Sequence, residues 1–408
     1  MQATGRHTVL RSLVAVLATT GLLVGLVAVP SGASTSAKPK GDPVKVMVIY
    51  EGSVGIANPE LPEGAEAAAK ALNKKDGIGG HPVEVIVCDT NDDPNTAADC
   101  GRQAIEEGVV ALVGVLSPHS GSFMPLMVEN GIPSIGLILA SADDFQSAAS
   151  FPLSGGIIAT SFSLPVFLAE DGAKSISVAR PDLAAGAILG ILGNTALEPF
   201  GQTMTNDVPV PTDAPDMSTY VQAALAGGSD AIIVALPGQQ AINFVQAAKQ
   251  ADPNVKLAMI STEPGPVSEA LGADAAGIIQ STPTLSPGIA KTSEGKRFTK
   301  ELKAAKITDT SGFRLNSWLS MQVLAQLADG LPEITGPALT EKLSATTGLE
   351  TGLTPPLQWT TPADVGISIV SRVFNTCVIE LKLTKKGTSK ATTGTFFDAV
   401  TGQDCPAP

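Results

Sequence analysis

Aromatic rings and charged groups are both scarce in this chain of 408 residues, which holds 12 Phe, 2 Tyr and 2 Trp and is only 16% charged. Stacking a flat ligand between two rings is therefore hard to arrange. Histidine (3) and cysteine (4) are rarer still, and no C-x-x-C pair occurs, so the common zinc-site spacings are absent. No G-x-S-x-G, Walker A or H-E-x-x-H motif is present, which removes the usual sequence marks of serine hydrolases, phosphate cradles and zinc proteases. Bases are outnumbered, 26 Lys and Arg against 39 Asp and Glu, for a net charge of −13. A phosphate backbone would be repelled, so no nucleic-acid partner is expected. The 41 Gly follow no three-residue period and no heptads are sustained, which excludes collagen-like and coiled-coil classes.

What is present is apolar chain, 44% hydrophobic, enough for two buried cores and too much for a solvated coil. Arg6 and Arg11 precede an apolar run at 13–29, followed by Pro30 and the small residues Ser31, Gly32 and Ala33. This pattern predicts a signal peptide over 1–33, cut after Ala33 or Ala37, and an exported protein in the periplasm, cell envelope or medium. Losing the two arginines takes the net charge from −13 to −15. An uncleaved anchor is the alternative, because the run is at the lower length limit for a membrane span. No Cys precedes Cys88, so no lipid-modified cysteine is expected at the cleavage site. Four Cys in an exported chain predict two disulfides with three possible connectivities. The sequence-local pairs, Cys88 with Cys100 and Cys377 with Cys405, are the expected ones.

After a polar lead-in at 34–43, short β-branched runs alternate with helical patterns. Strands are predicted at 44–50, 83–88, 109–115 and 132–138. Ala65, Ala68, Ala69 and Leu72 share one helix face, and Asp93-Pro94 supplies an N-cap and a Pro for the first helical position. A second series has strands at 175–179, 231–236 and 257–261, with helices near 217–227, 238–251, 293–306 and 313–330. Runs at 367–374 and 378–384 also read as strands. Alternation of this kind means α/β architecture, two doubly wound parallel-sheet lobes with right-handed crossovers.

Residues 63–73 (EGAEAAAKALN), 77–85 (GIGGHPVEV), 92–97 (DDPNTA), 109–114 (VVALVG) and the turn Asn130-Gly131-Ile132-Pro133 together resemble periplasmic binding proteins of the leucine/isoleucine/valine-binding type. The similarity continues through 230–235 (DAIIVA), 261–265 (STEPG) and the Trp318 segment to Leu357-Gln358-Trp359. It implies a type 1 periplasmic binding protein fold, with three chain crossings near 151–155, 283–287 and 360–366 forming a hinge. On that basis 44–152 and 285–362 form the amino-terminal lobe, 153–284 and 363–385 the carboxy-terminal lobe, and 386–408 a tail tied back by a disulfide. The implied function is capture of a small molecule, an amino acid or a related amine or carboxylate, in the interlobe cleft. A monomer would then deliver it to the membrane permease of an ABC importer. A ligand-sensing ectodomain, or an exported binding protein with no transport role, is the alternative.

The loop 116–122 (LSPHSGS) matches the family loop that holds a ligand carboxylate. Here Pro118 occupies the position of a contacting Ser, so Ser117, His119 or Ser120 must substitute. Ser141 corresponds to the loop that holds the amino group, with its register shifted by one residue. Glu263 matches the acidic residue that pairs with the ammonium. Family positions that carry aromatics fall near Ala57, Ala185, Leu236 and Asn316, which leaves Tyr50 as the ring at the first strand's end and Trp318 as core. The run Asp89–Asp93 starts like a calcium loop, but Pro94 stands at position six and Cys100 at position twelve. Gly77-Ile78-Gly79-Gly80 precedes a strand, the wrong order for a dinucleotide cradle. His119 with Ser117 or Ser120 is no triad, since sequence neighbours rarely have triad geometry. No metal, cofactor or enzymatic activity is expected.

Overall fold

A computed structural model describes residues 39–408, apart from 53–56, 183, 212, 261–268, 286–291, 386–387 and 393. The expected signal segment lies outside the described residues. The first sheet is wholly parallel. Its strands β1 (Val44–Tyr50), β2 (Val83–Asp89), β3 (Ala111–Val113), β4 (Ser134–Ile135) and β5 (Ser150–Phe151) stand in the order β2-β1-β3-β4-β5. The central β1 is an almost unbroken apolar run with Val46 to Ile49 fully buried, as a strand covered on both faces requires.

Three crossover helices follow these strands: α1 (Glu60–Leu72), α2 (Pro94–Glu106) and α3 (Met124–Glu129). The α2 start is capped as its sequence predicts, with Asp93 accepting from the N–H groups of Asn95 (2.9 Å) and Thr96 (2.8 Å). It buries Ala97, Cys100 and Ala104. Cys100 is disulfide-bonded to Cys88 of β2. The later helix Gly312–Ala328 packs on α1 and on the same sheet. Its Trp318 is fully buried, stacks edge-on to Phe298 and donates through Nε1 to Glu301 Oε2 at 2.7 Å. Trp318 is core.

The second sheet has a parallel centre made of β6 (Ile176–Pro181), β7 (Met204–Val210), β8 (Ala231–Val234), β9 (Lys256–Met259) and β10 (Ile279–Thr282), ordered β10-β9-β8-β6-β7. Beyond β10 the direction reverses. Antiparallel β11 (Cys377–Leu383) and β12 (Ser389–Ala391) extend the sheet, and β13 (Phe397–Asp398) pairs antiparallel with β11. The Cys377–Cys405 disulfide ties the chain end to β11. The bridges close loops of 12 and 28 residues, which in the chain-entropy account contributes about 3 and about 3.5 kcal/mol. Helices α4 (Gly156–Glu170), α5 (Ile188–Leu197), α6 (Ser218–Leu225) and α7 (Gly238–Ala251) belong to this half.

The strand expected at 367–374 does not form. That segment is irregular, and its backbone bonds go to a loop rather than to a ladder, since Ser371 and Arg372 N–H both donate to Phe145 O (2.9 and 3.0 Å). It reads as apolar because Val370, Val373 and Phe374 are buried where the two halves join. Arg372 holds this junction. Its guanidinium donates to Ser150 O from Nε (3.0 Å) and Nη2 (2.7 Å), and lies 4.8 and 4.7 Å from the ring centres of Phe151 and Phe374. Burial lowers its pKa to about 10, so it stays charged at neutral pH. Trp359 Nε1 adds a bond to Pro152 O at 2.8 Å. The crossings at 150–155 and 358–376 are thereby stitched together.

Arg372→Ala strands the Ser150 carbonyl in a semi-buried place and is expected to destabilise the protein by about 1–3 kcal/mol in urea unfolding. Arg372→Lys keeps the charge but loses the planar fork, so it is expected to recover less than half of that loss. Full recovery by lysine would reduce the contact to simple charge.

Candidate functional site

A parallel sheet ends all its strands on one side, and ligands of such sheets bind outside those carboxyl ends. In the first sheet this edge gathers Tyr50 and Glu51 after β1, Asp89 to Asp93 after β2, the 116–122 loop after β3, and 139–144 after β4. Four of the six expected contact residues meet here in two loops, and Tyr50 stands half-buried beside Asp89. Burial and the neighbouring Asp89 and Glu66 carboxylates raise the Tyr50 pKa. Glu263 lies outside the described residues.

Ser117 and Ser120 are both fully buried. Ser117 Oγ accepts from His119 N–H (3.1 Å), and the Ser120 hydroxyl donates to Ser117 O (3.0 Å). A short 3-10 turn, Ser120–Ser122, intervenes before α3. It commits Ser122 N–H to His119 O and Phe123 N–H to Ser120 O. His119 points along the edge, with Nε2 at 3.0 Å from Asp92 Oδ1. Of the positions matched to family aromatics, Ala57 is exposed, Leu236 is buried in the core, and Asn316 donates to Gly136 O at 2.6 Å.

Two buried carboxyl groups that the sequence reading did not single out organise this edge. Glu51 is fully buried. Its Oε2 accepts from the Thr90 hydroxyl and from Asp92 N–H (2.8 Å), while Oε1 has no hydrogen-bond partner among the described residues. Asp144 is 1% exposed, and its Oδ2 accepts from Ala140 N–H (2.9 Å) and Ser141 N–H (2.8 Å). In return Ser141 Oγ accepts from Asp144 N–H at 3.3 Å. This reciprocal pairing has the logic of a helix capping box, used here to close a turn. The Ser-x-x-Asp spacing at 141–144 was the available sequence signal. For Glu51 the only hint was an acid placed directly after a buried strand.

Two glycines let the loops approach. A Cβ at Gly52 would stand 2.0 Å from Asp89 Oδ2, and one at Gly121 would stand 2.5 Å from Asp143 Oδ2. Asp89 Oδ1 also receives Gly52 N–H and Asn91 N–H, each at 2.9 Å. The β1, β2, β3 and β4 loops thus form one connected rim.

Comparison with known proteins bears on this rim. The sequence profile described as periplasmic binding protein matches residues 44–368. The chain belongs to the periplasmic binding protein family. No curated protein sequence matches it. Among solved structures, a possible leucine/isoleucine/valine-binding protein from Rhodopirellula baltica SH 1 superposes with a TM-score of 0.73 at 14% identity, covering 86% of this chain and 96% of that one. The branched-chain amino acid substrate-binding protein LivJ from Streptococcus pneumoniae, in complex with isoleucine, gives 0.68 at 15% identity, covering 86% and 99%. A solute-binding protein of an ABC transporter from R. palustris, in complex with 4-hydroxybenzoate, gives 0.70 at 20% identity, covering 90% and 98%. At these identities the likeness establishes the fold, the type 1 periplasmic binding protein architecture. Among the described residues no helix is long and apolar enough to cross a membrane.

The burial of Asp144 predicts a pH dependence of stability. Burial pushes its pKa up, and the Ala140 and Ser141 N–H groups with the nearby Ser120 and Ser141 hydroxyls oppose this only in part. The folded state then holds the Asp144 proton more tightly than the unfolded state does. Between the unfolded carboxylate range, about 4, and the raised folded value, this group's contribution to stability falls as pH rises. Asp144→Asn is expected to flatten that fall in thermal unfolding recorded from pH 4 to 8. An unchanged slope would mean that Asp144 is charged throughout.

Proposed function

We propose that this protein is an exported solute-binding protein that captures a small polar molecule between its two α/β halves and hands it to the permease of an ABC importer. The observation that carries this reading is the family match over 44–368, together with a rim of polar loops at the carboxyl edge of the first sheet. The ligand first meets that rim, and closure about the three crossings then brings the second sheet's loops onto it. Such hinge motion turns ligand contacts into a conformational signal, which is what a permease needs to tell loaded from empty receptor. The solute is an amino acid or a related amine or carboxylate. Ser117, His119, Ser120, Ser141 and Tyr50 belong to the rim, and Glu263 is assigned to the closing half as the partner of a ligand ammonium. The protein acts as a monomer and carries no cofactor.

Thermal unfolding of the exported chain against amino acids, small carboxylates, amides and polyamines tests this reading. A ligand at about a hundred times its dissociation constant adds roughly 2.7 kcal/mol of native stability, a readily measured shift. Absence of any shift from a folded sample would favour a macromolecular partner over a solute. With an amine-bearing ligand in hand, Glu263→Ala is expected to weaken binding about tenfold or more, the loss of one charge-assisted hydrogen bond. Unchanged affinity in calorimetry would remove Glu263 from the site.

A further inference from the structure

Two consecutive residues, Asp144 and Phe145, carry hydrogen bonds that join the β4 loop to the places where the chain passes between the halves. The Asp144 carboxyl group accepts through Oδ2 from the N–H groups of Ala140 (2.9 Å) and Ser141 (2.8 Å), on the rim. Its backbone carbonyl accepts from the Ser150 hydroxyl at 2.7 Å, at the start of the first crossing. The next carbonyl, Phe145 O, accepts from the N–H groups of Ser371 (2.9 Å) and Arg372 (3.0 Å), on the third crossing. Arg372 returns to the same loop, giving Nε and Nη2 to Ser150 O and Nη2 also to Ala148 O at 3.4 Å. The rim, the first crossing and the third thus meet on one turn. Contiguous bonds of this kind are what couples one segment's opening to another's.

The turn is built around an acid that is 1% exposed and has no cation on it. The charged groups of the neighbouring segments are turned elsewhere. Asp143 of the same loop packs on Gly121, and His119 of the β3 loop has Nε2 against Asp92 Oδ1 of the β2 loop. On the third crossing Asp364 takes Gly366 N–H at 3.0 Å, and Arg372 bonds to carbonyl oxygens. Asp144 Oδ1 has no hydrogen-bond partner among the described residues. A proton placed there leaves both Oδ2 bonds intact, and the Ser120 hydroxyl lies near the carboxyl group. Ionised, the same group is a buried charge without a counter-ion, which is costly. Opening the turn to water relieves that cost, so closure and protonation favour each other.

We propose that the 139–147 turn is a proton-controlled latch on the hinge: with Asp144 neutral it is closed on the first and third crossings, and ionisation of Asp144 loosens it, so that the crossings can part from the rim. The sign follows from the burial of this group, which raises its pKa. The closed turn holds the proton more tightly than an opened turn, where Asp144 is solvated. Opening therefore becomes easier as pH rises above the ordinary carboxylate range. An exported receptor meets the acidity of its surroundings directly, so hinge freedom follows external pH. The inference rests on the solute-capture reading for its purpose and adds a regulation to the same rim. Asp144→Asn keeps an acceptor oxygen for the Ala140 and Ser141 N–H groups but has no charge, and so stands for the closed state at every pH.

Hydrogen exchange of the full exported chain tests the latch without any ligand. It is followed by mass spectrometry from pH about 4 to 8 and corrected for the intrinsic exchange rate at each pH. Peptides over 139–147 and 363–376 are expected to lose protection together as pH rises, by up to about tenfold per pH unit, the limit for one proton. Asp144→Asn is expected to hold both segments at their acid-side protection across the range. Should that variant fail to fold, the wild-type profiles decide alone, because a latch requires both segments to share one pH midpoint. Loss confined to 139–147 would overturn the coupling to the hinge. The same loss in a folded Asp144→Asn protein would overturn the role of Asp144, and protection independent of pH in both segments would overturn the latch altogether. Each of these failures leaves solute capture standing. A thermal screen without any shift, beside intact coupling of the two segments, would overturn capture alone.

Discussion

The carboxyl edge of the first sheet has to hold four loops together without one lysine or arginine side chain among them. It does so with acids, two of them on backbone N–H groups of a neighbouring loop, one on a histidine ring and one packed on a glycine. Each acid spans a junction: Glu51 links the β1 loop to the β2 loop, Asp89 links them again from the other side, Asp92 meets His119 of the β3 loop, and Asp143 packs on Gly121 of that loop. Charge-assisted bonds of this type are stronger than neutral ones, and the groups that make them are acids. The same choice that braces the loops therefore sets the electrostatics of the place where a ligand arrives.

The two halves are joined differently. Arg372 sits at the junction with carbonyl oxygens as hydrogen-bond acceptors and two phenyl rings as neighbours, and among the described residues no carboxylate is a hydrogen-bond partner of it. Such contacts are short-ranged and directional, so they pin the 150–155 and 358–376 segments to each other.

Much of the fold was legible because periodicity and capping carried it. β1 at 44–50, the Asp93-Pro94 start of α2 and the alternation of strands and helices are local facts about apolar spacing. The misses have physical reasons. β5 is two residues long, too short to leave a pattern, and β4 is shorter than the run at 132–138 that marks it. β7 is an edge strand with polar residues alternating outward, and α4 is buried on nearly every side and so has no polar face to mark its period. The apolar run at 367–374 is buried by the junction rather than by a sheet. At the rim, Ser117, Ser120 and Ser141 were expected from family resemblance, and each hydrogen-bonds within its own loop. Glu51 and Asp144 were passed over because an acid after a strand is ordinarily read as solvated, and only the fold shows both to be buried.

The central claim is that a solute closes the two halves onto the rim. Small-angle X-ray scattering of the exported chain, with and without the compound that gives the largest thermal shift, tests this most directly. Closure predicts a smaller radius of gyration at saturation, reversed when the compound is dialysed away. A saturated protein whose scattering is indistinguishable from that of the free protein would contradict capture by closure, and would leave the rim as a static binding surface.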